Sequence, residues 1–199
     1  KKPAFVDIPR PANYLLNIDE RGDKSLQTGN APWGVPQADL VLNRLGYVLG
    51  YDLERKLPRW VAYAIGPSEQ SIPRTQKFLA DPAIDFNMQA RMSDYRGQGY
   101  DRGHMISPAD LFFKGPVTIQ EAYYMSTVTP QTPWLNRRLW RTLEIRVRKA
   151  VESRQQVAFI IAGPLFIKPE ENPDFKFETI GDGRIPVPTH FFRIMAMMN

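Results

Sequence analysis

At 199 residues, 43% hydrophobic and 12% aromatic, the chain carries enough apolar material to bury one proper core, which excludes a disordered polymer. The absence of cysteine removes disulfide frameworks, thiolate nucleophiles and cysteine-based zinc sites, and two histidines cannot complete a four-ligand structural zinc centre. A net charge of +5 favours an anionic partner, whereas the longest apolar run, Val157 to Ala162, falls far short of the ~20 residues of a membrane span, so no membrane partner is expected.

Residues 1–40, rich in Pro, Gly, Asn and Asp, read as an irregular arm laid over a single domain at 41–199. The start Lys1-Lys2-Pro3, without Met or an apolar stretch, is expected of a processed chain in a secreted, periplasmic or organellar setting. Gly46 to Tyr51 and Trp60 to Ile65 are β-branched and aromatic runs around the charged turn Asp52 to Lys56, which predicts an antiparallel hairpin. Asn136 to about Ser153 reads as a helix with Leu139, Leu143, Val147 and Ala150 facing the core. Arg137, Arg141, Glu144 and Arg148 are expected on a stripe roughly opposite, rotated by about 200°. Asn136 and Glu144, eight residues apart, project within about 80° of each other and about 12 Å apart along the axis. Gln156 to Ala162, closed by Gly163-Pro164, predicts a buried strand, and Val187 to Met198 a last strand after a Gly/Pro loop at 181–188. Ending inside a strand is expected of a domain whose C-terminus is incomplete. Strands and helices without regular alternation indicate a mixed α+β fold, with a central antiparallel sheet flanked by helices.

Several common sites are missing: no Gly-x-Ser-x-Gly elbow, no His-Glu-x-x-His and no phosphate-binding Gly-x-x-x-x-Gly-Lys loop. Gly97 to Gly103 has its third glycine one residue late for a dinucleotide fingerprint and no βαβ unit around it. What remains is Gly99-Tyr100-Asp101-Arg102-Gly103-His104-Met105, then Ser107-Pro108-Ala109-Asp110, Thr129-Pro130-Gln131, and Leu135-Asn136 followed by Trp140 and Leu143-Glu144. An imidazole of near-neutral pKa takes a proton from water. An amide oxygen with water suits Mg²⁺, which keeps most of its hydration shell. Arginine forks match phosphate oxygens. These are the parts of a phosphodiesterase, and residues 137–154 alone carry a net charge of +5 beside them. Tyr123, Tyr124, Trp134 and Trp140 are expected in the core rather than as a base-stacking platform. His190, beside Phe191 and Phe192, is expected to be structural. Asn136 also reads as a helix N-cap.

This ordered set resembles the DNA/RNA non-specific endonuclease family, whose active site is the ββα-metal or His-Me finger, over about Gly46 to the C-terminus. Further carriers are Trp60-Val61-Ala62-Tyr63, Asp81-Pro82, Gly163-Pro164 and Val187-Pro188-Thr189. The resemblance implies that His104 is the general base and Asn136 the only direct protein ligand of one Mg²⁺, with Mn²⁺ as a substitute. It implies that Glu144 holds metal-bound waters, that Arg102 and Arg74 contact the scissile phosphate, and that Asp101 positions the motif. Arg137, Arg141 and Arg148 are expected to contact the phosphates of DNA and RNA. The activity implied is hydrolysis of both nucleic acids with little sequence preference, leaving 5′-phosphate and 3′-hydroxyl ends. Ser126-Thr127 stands where the family has Ser-Asn, so one structural hydrogen bond is expected to differ, and Arg137-Arg138 follow the ligand where Gln or Arg-Gly is common. The intact His104, Asn136 and Glu144 favour turnover over a silent nucleic-acid-binding module. A toxin nuclease neutralised by an inhibitor protein stays open, as does a homodimer.

Overall fold

The structure, a computed structural model, describes residues 29–68, 77–172 and 174–197. Strands β1 (Leu40–Asn43), β2 (Val48–Asp52) and β3 (Leu57–Ile65) are followed by β4 (Asp101–His104), helix α1 (Pro116–Glu121) and β5 (Val128–Gln131). A π-helical turn, Leu135–Trp140, runs directly into α2 (Arg141–Arg154), and the chain continues through β6 (Ala158–Leu165), β7 (Thr179–Ile180), β8 (Ile185–Pro186) and β9 (His190–Met197).

Five strands form an antiparallel sheet in the order β1-β2-β3-β6-β9. The hairpin expected around residues 52–56 is its β2–β3 pair, in which Gly50 lies opposite Trp60. A Cβ on Gly50 would sit 2.2 Å from the indole, so glycine alone lets the ring lie across the strand. Alternation along β3 sends Val61, Tyr63 and Ile65 into the main core with Trp140, Val151 and Ile160. Trp60 and Ala62 point to the other face, where Ala31, Val35 and Ala38 cover them together with Val41 and Val48. The described part of the N-terminal arm therefore seals the outer side of the sheet; residues 1–28 lie outside the described residues. The mixed α+β architecture, with its central antiparallel sheet, is the one expected.

Strand β6 does not stop at Gly163-Pro164. It runs on to Leu165 against β9, while its pairing with β3 ends at Ala162, which leaves one side open for the missing N–H of Pro164. The helix differs more. Thr132 Oγ1 accepts from Leu135 N at 3.3 Å and Pro133 opens the turn, so Thr132 is the capping residue and Asn136 lies inside, with its N–H bonded to Thr132 O at 3.0 Å. The π turn then inserts an extra residue and shifts the phase. Trp140 is buried, whereas Leu139 is exposed, and below it Leu143, Val147 and Val151 form the inward face. Trp134, expected in the core, is 63% exposed. Tyr123 and Trp140 are buried as expected.

Candidate active site

Strands β4 and β5 form a separate ribbon, pairing Asp101 with Gln131, Arg102 with Pro130, Gly103 with Thr129 and His104 with Val128. With the helix that follows, this is a ββα unit: one strand presents the Asp-Arg-Gly-His motif and the helix start presents Asn136. The glycine of the motif has a local reason. Gln131 lies across its backbone, and a Cβ on Gly103 would come within 2.1 Å of the Gln131 side-chain oxygen.

Alternation along β4 separates the motif into two faces. On one, Asp101 accepts a two-pronged contact from Arg137, Nε to Oδ2 at 2.8 Å and Nη2 to Oδ1 at 2.7 Å, and a third bond from Asn136 Nδ2 at 3.0 Å. The Arg137 fork first, then the Asn136 amide, hold the Asp101 carboxyl below the usual carboxylate range against its partial burial. Tying the nitrogen of the Asn136 amide to Asp101 turns its oxygen away from that carboxylate. On the other face lie Arg102 and His104, joined through Phe78. The His104 ring stacks on Phe78 at 4.9 Å and 26° and meets Tyr123 edge-on at 5.1 Å and 84°. The Arg102 guanidinium lies 5.0 Å from the centre of the Phe78 ring, with Nη1 3.8 Å from Met92 Sδ. Trp140 Nε1 donates to the His104 carbonyl at 3.1 Å, which locks the end of β4 to the helix. Phe78 itself is placed by a parallel bridge, with Leu79 N donating to Tyr123 O and Met125 N to Leu79 O.

Two turns further along, Glu144 keeps different company. Its neighbour is Asp110, which is fully buried and accepts from Arg148 Nη1 at 2.6 Å, Arg193 Nη2 at 2.6 Å and the Tyr63 hydroxyl at 2.8 Å. Burial, and then the charge of Asp110, push the Glu144 carboxyl up to about 7, opposed by Arg193, Arg148 and a hydrogen bond from Ser107. The stripe expected opposite the core therefore does not exist as one face. Arg137 and Arg141 are exposed, but Arg148 turns inward to Asp110 and Ser107, because a buried carboxylate needs cations and helical spacing brings this one to it. Arg137, expected on phosphate, is forked to Asp101 while its side chain stays exposed. Arg74 lies outside the described residues. His190 is exposed at the start of β9.

Phe78 and Arg193 carry no sequence signal of their own, since each reaches the site through pairing between distant segments, and the sequence marks Tyr123 only as a core aromatic. Asp110 and Ser107 were visible in the Ser107-Pro108-Ala109-Asp110 stretch, without a role. The Ser126-Thr127 departure is accommodated: Ser126 Oγ donates to buried Asp81 at 2.6 Å, and Thr127 Oγ1 lies 2.9 Å from the carbonyls of Ala122 and Tyr124.

Among the described residues no three His, Cys, Asp or Glu side chains gather as a ligand cluster. The donor chemistry nevertheless fits a hard, well-hydrated divalent cation: a neutral amide oxygen with its orientation fixed by Asp101, and a carboxyl two turns away.

The sequence model described as DNA/RNA non-specific endonuclease matches residues 26–199. Mitochondrial endonuclease G of Homo sapiens is 32% identical over 174 residues, covering 84% of this chain and 58% of that protein. Mitochondrial Nuclease 1 of Schizosaccharomyces pombe is 32% identical over 209 residues, covering 95% of this chain and 63% of its own length. The chain thus spans less than two thirds of these relatives. A chain from the crystal structure of the EndoG/EndoGI complex, which concerns the mechanism of EndoG inhibition, is similar with a TM-score of 0.73 at 28% identity, covering 89% of this chain and 74% of that one.

Proposed function

The chain belongs to the DNA/RNA non-specific endonuclease family, and we propose that it is a cation-dependent endonuclease that hydrolyses phosphodiester bonds of DNA and RNA with little base preference, leaving 5′-phosphate and 3′-hydroxyl ends. The observation that carries this reading is the ββα unit, in which one strand holds Asp101, Arg102 and His104, and Asp101 orients the amide of Asn136 at the start of the facing helix. His104, with its ring held between Phe78 and Tyr123, takes a proton from a water as that water attacks phosphorus; the bond to the 3′ oxygen breaks and that oxygen takes a proton from solvent. Arg102 meets the charge on the phosphate oxygens. Asn136 Oδ1 would hold the cation and Glu144 would reach it through water. When bound, Mg²⁺, or Mn²⁺ in its place, supplies charge neutralisation at the phosphate and the departing oxygen. The names of the relatives support an organellar setting among the compartments left open, and the EndoG/EndoGI neighbour supports an inhibitor protein as a partner.

The direct test is incubation of supercoiled plasmid and of RNA with the protein and Mg²⁺. Both should be cut, and the DNA fragments should be ligatable without further treatment. Binding of both without cleavage would favour a silent nucleic-acid-binding module.

Arginine placement divides into two expected behaviours. Arg138 and Arg141 are exposed, so replacing both with Gln should flatten the slope of log K against log salt by up to about 1.8 on duplex DNA, equally on unrelated sequences. Arg148→Gln should leave that slope alone and lower unfolding stability by about 1.5–3 kcal/mol, because it loses its bond to the buried Asp110 carboxylate. The checks are binding titrations of two duplexes across a salt series and denaturant unfolding. A slope that follows Arg148 and ignores Arg138 and Arg141 would return the phosphate track to the inward face.

A further inference from the structure

Beside the ββα unit lies a cavity of about 420 Å³ that neither His104 nor Asn136 lines. One wall is the unit itself, through Tyr100, Pro130 and Leu135, which are next to Asp101, paired with Arg102 and next to Asn136 respectively. The lining is completed by Phe175, Phe177 and, at the start of β9, Phe191. The volume falls within the ~300–1,000 Å³ of small-ligand sites. Its aromatic rings are braced against one another: Phe177 meets Phe175 and Phe166 edge-on at 5.3 Å each, and Phe191 meets Trp140 at 5.8 Å, the same indole that holds the His104 carbonyl.

The charges decide what fits. Lys176 and Glu178 both line the cavity and offset each other, and the Tyr100 hydroxyl is hydrogen-bonded to Glu178, whose carboxylate helps push it up to about 12, after burial. A phosphate would meet that carboxylate. A flat, uncharged ring would meet aromatic walls, with one acceptor and one cation at its edge. Because the cavity shares its wall with the strand and helix start placed at the scissile phosphate, we infer that it receives an unpaired nucleobase of the strand being cut, close to the scissile bond. This rests on the nuclease reading above. Stacking of this kind accepts any base, which agrees with non-specific cleavage. A base inside a duplex reaches such a cavity only by leaving its stack, so single strands and frayed or unpaired sites gain from it and intact duplex does not.

The test uses the full chain carrying His104→Ala, so that nothing is cut, and three fluorescent probes. These are a short single strand, a strand of the same length and charge made entirely of abasic residues, and a duplex. The base-bearing strand should bind about 5- to 150-fold more tightly than the abasic one. In Phe175→Leu/Phe177→Leu that ratio should fall to near one, with duplex binding unchanged. Equal binding of the two single strands by the parent would overturn the inference, as would a ratio that survives the double substitution, which would shift stacking to another surface such as exposed Trp134. If the double variant also loses the duplex, Tyr100→Leu, from the ββα side of the lining, gives the same comparison with the same two outcomes. Failure to bind any of the three probes would contradict the nuclease reading itself, whereas binding without base dependence would contradict only the cavity.

Discussion

Replacing His104 with alanine is expected to lower turnover by about 10²–10⁴-fold while nucleic-acid binding stays nearly intact, since a general base acts in the transition state and contributes little to ground-state affinity. The backbone contact at this residue does not depend on its side chain: the Trp140 indole bonds the carbonyl of residue 104, which any residue supplies. What alanine removes is the ring packed on Phe78 and Tyr123. The measurement is plasmid cleavage at saturating Mg²⁺ beside binding by fluorescence anisotropy. Cleavage at the parental rate would remove His104 from the chemistry. His190→Ala, at an exposed position at the start of β9, should leave cleavage unchanged.

Asn136→Ala should raise the Mg²⁺ concentration needed for cleavage, or abolish cleavage altogether. A site resting on one protein oxygen has no substitute for it, and a water in that place would lack the orientation that the Asp101 bond gives the amide. Glu144→Gln should act more mildly, by about 10–100-fold, as groups that act through bound water do. A Mg²⁺ titration of Asn136→Ala that overlays the parent would place the cation elsewhere.

The parts of this molecule that are written locally were legible in the sequence. The hairpin flanking residues 52–56 is set by β-branched runs and a charged turn, and the Asp-Arg-Gly-His motif stands out by residue types whose chemistry converges, although nothing in it marks the strand β4. The sequence sets the helix start at Asn136, a good cap, yet Thr132 caps it four residues earlier and Asp101 occupies the Asn136 side chain instead. No simple 3.6-residue period can anticipate a π turn: the extra residue at Leu135–Trp140 turned Leu139 outward and Trp140 inward. Arg148 illustrates the other limit. Read on its own helix it belongs to a basic stripe, but Asp110, 38 positions away, and Arg193, which β9 delivers from the far edge of the sheet, define a buried ionic cluster that only the fold assembles. The same long-range assembly conceals Phe78 and the aromatic cavity, whose lining residues come from segments about 40 to 90 positions apart in the chain.

One strand supplies the proton acceptor and one helix start supplies the cation site, so the two residues must control different quantities. Plasmid cleavage across a Mg²⁺ series, with the parent, His104→Ala and Asn136→Ala side by side and an EDTA control, separates them. His104→Ala should lower the plateau at an unchanged Mg²⁺ midpoint, Asn136→Ala should move the midpoint upward or eliminate the response, and EDTA should silence all three. Cleavage by the parent that persists in EDTA, or two variants that shift the same parameter by the same amount, would contradict this assignment of roles.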